Sequence, residues 1–164
     1  MGYNYYMDIL KAKDVASFLI DLSLKEGADK GLPTPEGITN LKLQKLLYFA
    51  QASHMALFNK PLFTEKIEAW KWGPVIPSIY HHYSSNKNKP LPLDKSFKGI
   101  DNDKKSEFIK GVWDLFGKYS AIELMKITHK HKPWIEAFQK GSGTTIENSV
   151  LRSYYKNLFT LANE

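Results

Sequence analysis

The sequence predicts a mainly α fold: a single compact helical domain of about six to seven helices, with a small β-hairpin or short strand near residues 65–72. Three observations predict it. Apolar residues recur at helical spacing in long stretches from both halves of the chain. Period-two alternation is confined to one short segment, EKIEAWKW. The chain has 164 residues, 43% hydrophobic and 24% charged, which is globular composition. That length buries roughly 70% of the unfolded surface, enough for a self-sufficient core.

The elements follow in order. Val15, Phe18, Leu19 and Leu22 mark a helix over about 13–26, with Gly27 as a left-handed cap. Positions 27–37 form a loop punctuated by glycine and proline. Thr39 is an N-cap for a helix over about 40–58. Leu43, Leu46, Leu47, Ala50 and Leu57 form one face, and Leu41, Tyr48, Ala52 and Met55 a second. A helix apolar on two faces is packed on two sides, so this is the spine of the fold. After the short strand, Gly73-Pro74 turns the chain into a helix that begins near Ile76, with Pro77 in its first turn. Positions 84–102 read as the most mobile and most basic loop, carrying Lys87, Lys89 and Lys98. Phe108, Ile109, Val112, Trp113 and Phe116 mark a further amphipathic helix. Ser120 with Glu123 forms a capping box for the next one. Pro133-Trp134 opens a short helix halted by Gly141. Thr144 with Glu147 is a second capping-box candidate. The last helix carries Val150, Leu151, Tyr154, Tyr155, Leu158 and Leu161.

Composition and motifs exclude many functions. Cysteine is absent, which rules out disulfides and thiolate metal sites. The N-terminus has no basic start followed by an apolar run, so no signal peptide is expected, and no stretch approaches the ~20 apolar residues of a membrane span. A cytoplasmic protein without membrane contact is expected. His81-His82 and His129/His131 lack the i, i+4 spacing that lets two imidazoles share a metal on one helix face. No P-loop, GxGxxG or GxSxG pattern occurs, and GSGTT at 141–145 reads as helix punctuation. No cofactor, metal or catalytic constellation is expected, and the protein is read as a non-enzyme. Lysine and arginine exceed the acids by 6, yet arginine occurs once, at Arg152. Base readers and phosphate clamps favour the guanidinium fork, so nucleic acid is the less favoured partner.

The densest cluster of unusual residues is AWKWGPVIPSIY, 69–80. Trp70 and Trp72 share a side if this segment is a strand. Trp70 is read as a core residue that pins the corner to the spine helix, because large aromatics dominate core burial. Trp72, beside the turn, is the better candidate for exposure. In the following helix Ile79 and Tyr83, four apart, face the core. That leaves Lys71, Trp72, Tyr80 and His81 as candidate partner-binding residues, an aromatic group ringed by polar ones.

LKLQKLLYF at 41–49, KPLF at 60–63 and WKWGPVIPSIY at 70–80 together resemble the Panacea domain, the SocA-like antitoxin family, also called GepA-like phage-associated proteins. The motif positions are Leu43, Leu46, Leu47, Tyr48, Trp70, Gly73, Pro74 and Pro77, and Asn59 stands where glycine is common. Weaker matches are Ser120, Leu124, Thr128 and His129, then Pro133-Trp134 and the paired tyrosines, so the likeness runs from about Asp14 to Leu158. The resemblance implies a mainly helical, bacterial or phage-encoded antitoxin. It implies a cognate toxin protein as partner, neutralised by direct binding, and for some members delivery to an ATP-dependent protease. The alternative from the residues is a phage or prophage regulator that binds nucleic acid through its basic surface.

Overall fold

The computed structural model describes residues 9–31 and 37–162. Seven α-helices and three short strands occur among them: α1 (Ala12–Asp29), α2 (Asn40–Phe58), β1 (Glu68–Trp70), β2 (Gly73–Val75), α3 (Pro77–His82), α4 (Asp103–Phe116), α5 (Ala121–Thr128), α6 (Lys132–Lys140), β3 (Thr144–Thr145) and α7 (Asn148–Ala162). The strands form one antiparallel sheet in the order β2-β1-β3. The mainly α expectation holds.

α2 is the spine. The Thr39 hydroxyl accepts the Lys42 N–H at its start, satisfying one of the orphan donors of a first turn. At its end Asn59 adopts φ 53 and its N–H returns to the Met55 carbonyl. Asparagine tolerates the left-handed region better than most side chains. Between these caps α2 is packed by α1, α3, α4, α5, α7 and β2. Leu43, Leu46, Leu47, Tyr48 and Ala50 are fully buried. Leu57 departs from the expected face and is 61% exposed, bordering an open groove with Phe108, Val112 and Leu115 of α4 and Phe159 of α7.

A helix covered on all sides buries its polar residues as well, and each then needs a partner. Gln51 meets this need on the KPLF turn. Its carbonyl oxygen accepts the Leu62 and Phe63 N–H groups, and its amide donates to the Phe63 carbonyl and the Asn148 side chain. His54 Nδ1 bonds the Lys60 carbonyl and its Nε2 the Lys105 ammonium. α7 is held along α2 by the Tyr48 and Tyr155 hydroxyls, 2.9 Å apart, with His131 Nδ1 2.8 Å from Tyr155. Burial pushes both phenols up and the imidazole down, which keeps all three neutral near pH 7.

Several boundaries differ from the sequence reading. α1 continues through Gly27, which is buried in its last turns; the left-handed glycine is Gly31, φ 69. Positions 84–102 do not form a purely solvated loop. Leu91 is buried and its N–H bonds the Ile38 carbonyl, and Leu93, Phe97 and Ile100 pack against the core. The Ser120–Glu123 capping box is present in full, but Thr144 is not part of one. Its hydroxyl turns back to the Gly141 carbonyl and its backbone pairs with β1. On α7 only Leu151 and Tyr155 of the expected face are fully buried, while Val150, Leu158 and Leu161 are exposed. No helix among the described residues is long and apolar enough to cross a membrane.

Gln51→Leu should leave two backbone N–H groups and a carbonyl buried without partners, at about 3 kcal/mol of stability. Urea denaturation monitored by tryptophan fluorescence measures this, and a loss under about 1 kcal/mol would show that the turn finds other partners.

Candidate functional site: an aromatic and basic cleft at the hairpin corner

β1 and β2 form a two-residue hairpin, pairing Trp70 with Gly73 across Lys71-Trp72. Gly73 takes φ +99, and a Cβ there would lie 2.8 Å from Lys45 Cε and 3.0 Å from Thr128 Oγ1. Only glycine meets both the backbone angle and the close approach. Pro74 and Val75 are buried, and Pro77 opens α3 at its first turn, where its missing N–H costs nothing.

The corner is fastened to α2 by polar side chains. Lys45 Nζ donates to the Pro74 carbonyl at 2.9 Å, and the Ile76 N–H donates to Gln44 Oε1 at 2.9 Å. The Gln44 amide donates to Asn40 Oδ1, whose own amide donates to the Tyr80 carbonyl. These contacts, rather than Trp70, join the corner to the spine. In β1 it is Ala69 that points inward, while Glu68 and Trp70 face the other way, half-buried. This corrects the reading of Trp70 as a core anchor. Its indole N–H donates to Glu68, its ring meets Tyr80 edge to face at 5.0 Å, and its carbonyl accepts the Trp134 indole N–H. The sequence reading missed Asn40, Gln44 and Lys45. Their signal was present: polar side chains inside a helix whose neighbours are apolar on every face.

The corner borders a cleft of about 610 Å³. Trp70, Trp72 and Tyr80 supply aromatic surface, Asn40, Gln44 and Lys45 line it from α2, and Ile122 and Met125 line it from α5. Lys71 and Lys87 also border it, and none of the lining residues is acidic. Trp72 is 58% exposed, with the Lys71 ammonium 5.0 Å from its ring. Of the four candidate partner-binding residues, Lys71, Trp72 and Tyr80 lie in this cleft. His81 is exposed beside it, its ring 5.6 Å from Tyr80 and 6.0 Å from Trp70. No group of three or more His, Asp or Glu residues converges among the described residues.

Lys45 has no solvent exposure, and among the described residues its ammonium is paired with no carboxylate. Burial pushes it down to about 7, because a charge loses its hydration there. His129, stacked on Trp134 at 4.0 Å, is also held below its ordinary range, by burial first and by Lys45 second.

The comparisons with known proteins agree with the residues that build this corner. The family described as "Antitoxin SocA-like, Panacea domain" matches residues 43–135. Antitoxin SocA from Caulobacter vibrioides (strain NA1000 / CB15N) is 33% identical over 149 residues, covering 82% of this chain and 73% of that protein. No solved structure matches the chain significantly.

Lys45 makes a pH prediction. Its ordinary value in the unfolded chain is 10.5, so between pH 7 and 10.5 the unfolded state binds more protons and folding stability rises with pH. Below about pH 7 the penalty of the buried charge is fully present. Relative to Lys45→Met, the wild type should gain about 2 kcal/mol between pH 7 and 9. Denaturation midpoints of both proteins at the two pH values measure it, and a constant gap would mean that Lys45 does not titrate there.

Proposed function

The chain belongs to the SocA-like antitoxin family with a Panacea domain, and from that premise we propose that it is a non-catalytic antitoxin that neutralises a cognate protein toxin by direct binding. The observation that carries this reading is the cleft at the hairpin corner. Trp72 is exposed on a rigid turn, beside the half-buried Tyr80 and with Lys71 alongside. Tryptophan and tyrosine are the residue types that most often become hot spots once a partner excludes water from them. The turn cannot collapse inward, because Gly73 and Pro74 are already packed against Lys45 and Thr128.

Nucleic acid is the less favoured partner. The basic residues at the cleft are lysines, and Arg152, the one arginine, lies on α7 and does not line it. Lysine gives a point charge where base and phosphate readers use a planar fork.

Co-expression with the product of the neighbouring gene, scored for toxicity alone and for growth rescue, tests the reading. Trp72→Ala should leave the melting temperature within about 2 °C, as exposed substitutions do. Together with Tyr80→Ala it should weaken toxin binding by at least ~30-fold, about 2 kcal/mol, and abolish growth rescue. Full rescue by both variants places the binding surface elsewhere. Toxin levels separate the routes: steady toxin during rescue means sequestration, and falling toxin that is restored by removing an ATP-dependent protease means delivery for degradation.

A further inference from the structure

We propose that the cleft at the hairpin corner is a docking groove for an acidic peptide segment of the toxin, its carboxylates facing Lys71 and Lys87 and its apolar neighbours against the aromatic wall. This rests on the antitoxin reading above and names the chemistry that the partner presents there.

Three observations carry it. The first is charge complementarity: Lys45, Lys71 and Lys87 border the groove and no carboxylate does. The nearest acid on β1, Glu68, is already engaged by the Trp70 indole N–H at 2.8 Å. The second is access: Lys71 and Lys87 are exposed at the rim of the groove, where an incoming carboxylate reaches them, whereas Lys45 has no solvent exposure and donates to the Pro74 carbonyl beneath it. The third is the remaining lining. Trp72 and Tyr80 offer aromatic faces, and Ile122 and Met125 stand on the α5 side. Such walls take apolar side chains on either side of the acid. One concavity of about 610 Å³ fits a short peptide stretch better than a nucleic-acid strand, which needs cations spaced along its phosphates.

The test uses the whole chain and a probe independent of the toxin: a phage-displayed library of random 12-residue peptides, panned at 150 mM KCl. The expected result is enrichment of Asp or Glu flanked by Leu, Phe or Met. The leading peptide, made synthetically with a fluorophore, should bind at least 10-fold more weakly when its acid is replaced by the amide. It should bind at least 30-fold more weakly to Lys71→Glu/Lys87→Glu, which changes exposed side chains only. Selection of neutral or basic peptides, or equal binding of acid and amide, overturns the proposal. So does tighter, salt-sensitive binding of a labelled 20-nucleotide single strand that displaces the peptide. Growth rescue then separates the two readings. Acidic peptides that bind the groove while Lys71→Glu/Lys87→Glu still rescues would overturn the groove as the toxin's site and leave the antitoxin function standing. Acidic peptides that bind while the wild type rescues against no toxin would overturn the antitoxin reading and leave the groove's chemistry standing.

Discussion

Two hydrogen bonds from one turn of α2 hold the hairpin corner in place: Lys45 to the Pro74 carbonyl and Gln44 to the Ile76 N–H. Strands of three residues are too short to stand alone, and the corner would have no fixed direction without them. Because Gln44 and Lys45 are adjacent on a helix, they reach successive parts of the same segment. Asn40, one turn earlier, extends the chain of contacts to the Tyr80 carbonyl at the start of α3's second turn. One helix face therefore sets the position of β2, of α3 and of the aromatic residues that they carry.

This fastening accounts for the residue types around it. Lys45 leaves no room for a Cβ at position 73, so the turn takes glycine. The close approach also brings Thr128 and α5 against the hairpin, closing one side of the cleft. With the inner side of β1 occupied by the small Ala69, the large rings of Trp70 and Tyr80 pack against each other on the outside. Apolar rings at a surface are unfavourable in a free protein and favourable in a complex. A buried lysine without an anion is also costly. Both features lower the stability of the free protein at this corner.

Elsewhere the buried polar groups are satisfied within the fold. Gln51 closes the KPLF turn, and Tyr48, Tyr155 and His131 bond one another where α7 crosses the spine. These contacts are directional, so they specify register where leucines alone would permit sliding. The difference between Gln51 and Lys45 is charge. A neutral amide that finds four partners adds order, while a buried lysine with no carboxylate partner costs stability.

By itself the sequence determined the helical class, the limits of α2 and the identity of the corner. Those features rest on local physics: 3.6-residue periodicity, the Thr39 cap, the Ser120–Glu123 box, and the backbone limits of Gly73, Pro74 and Pro77. The family, too, was legible, because its motif consists of those same residues. Tertiary structure alone decided which side chains do what. Trp70 was expected in the core and lies half-buried on the opposite face of β1, since the direction of a three-residue strand depends on what packs above it. Gln44 and Lys45 went unremarked between the apolar faces of α2, and they are its attachment points, because a helix covered on every side turns each polar residue into a partner for some distant backbone group. Gly27 and Thr144 kept their local propensities but lost their expected roles to packing against the core and pairing with β1. Of the cleft only the corner's part was legible, Lys71, Trp72 and Tyr80; Ile122 and Met125 of α5 were not. Residues about 40–50 positions apart meet only when long-range contacts bring the corner and α5 onto the same spine, and no local rule encodes that meeting.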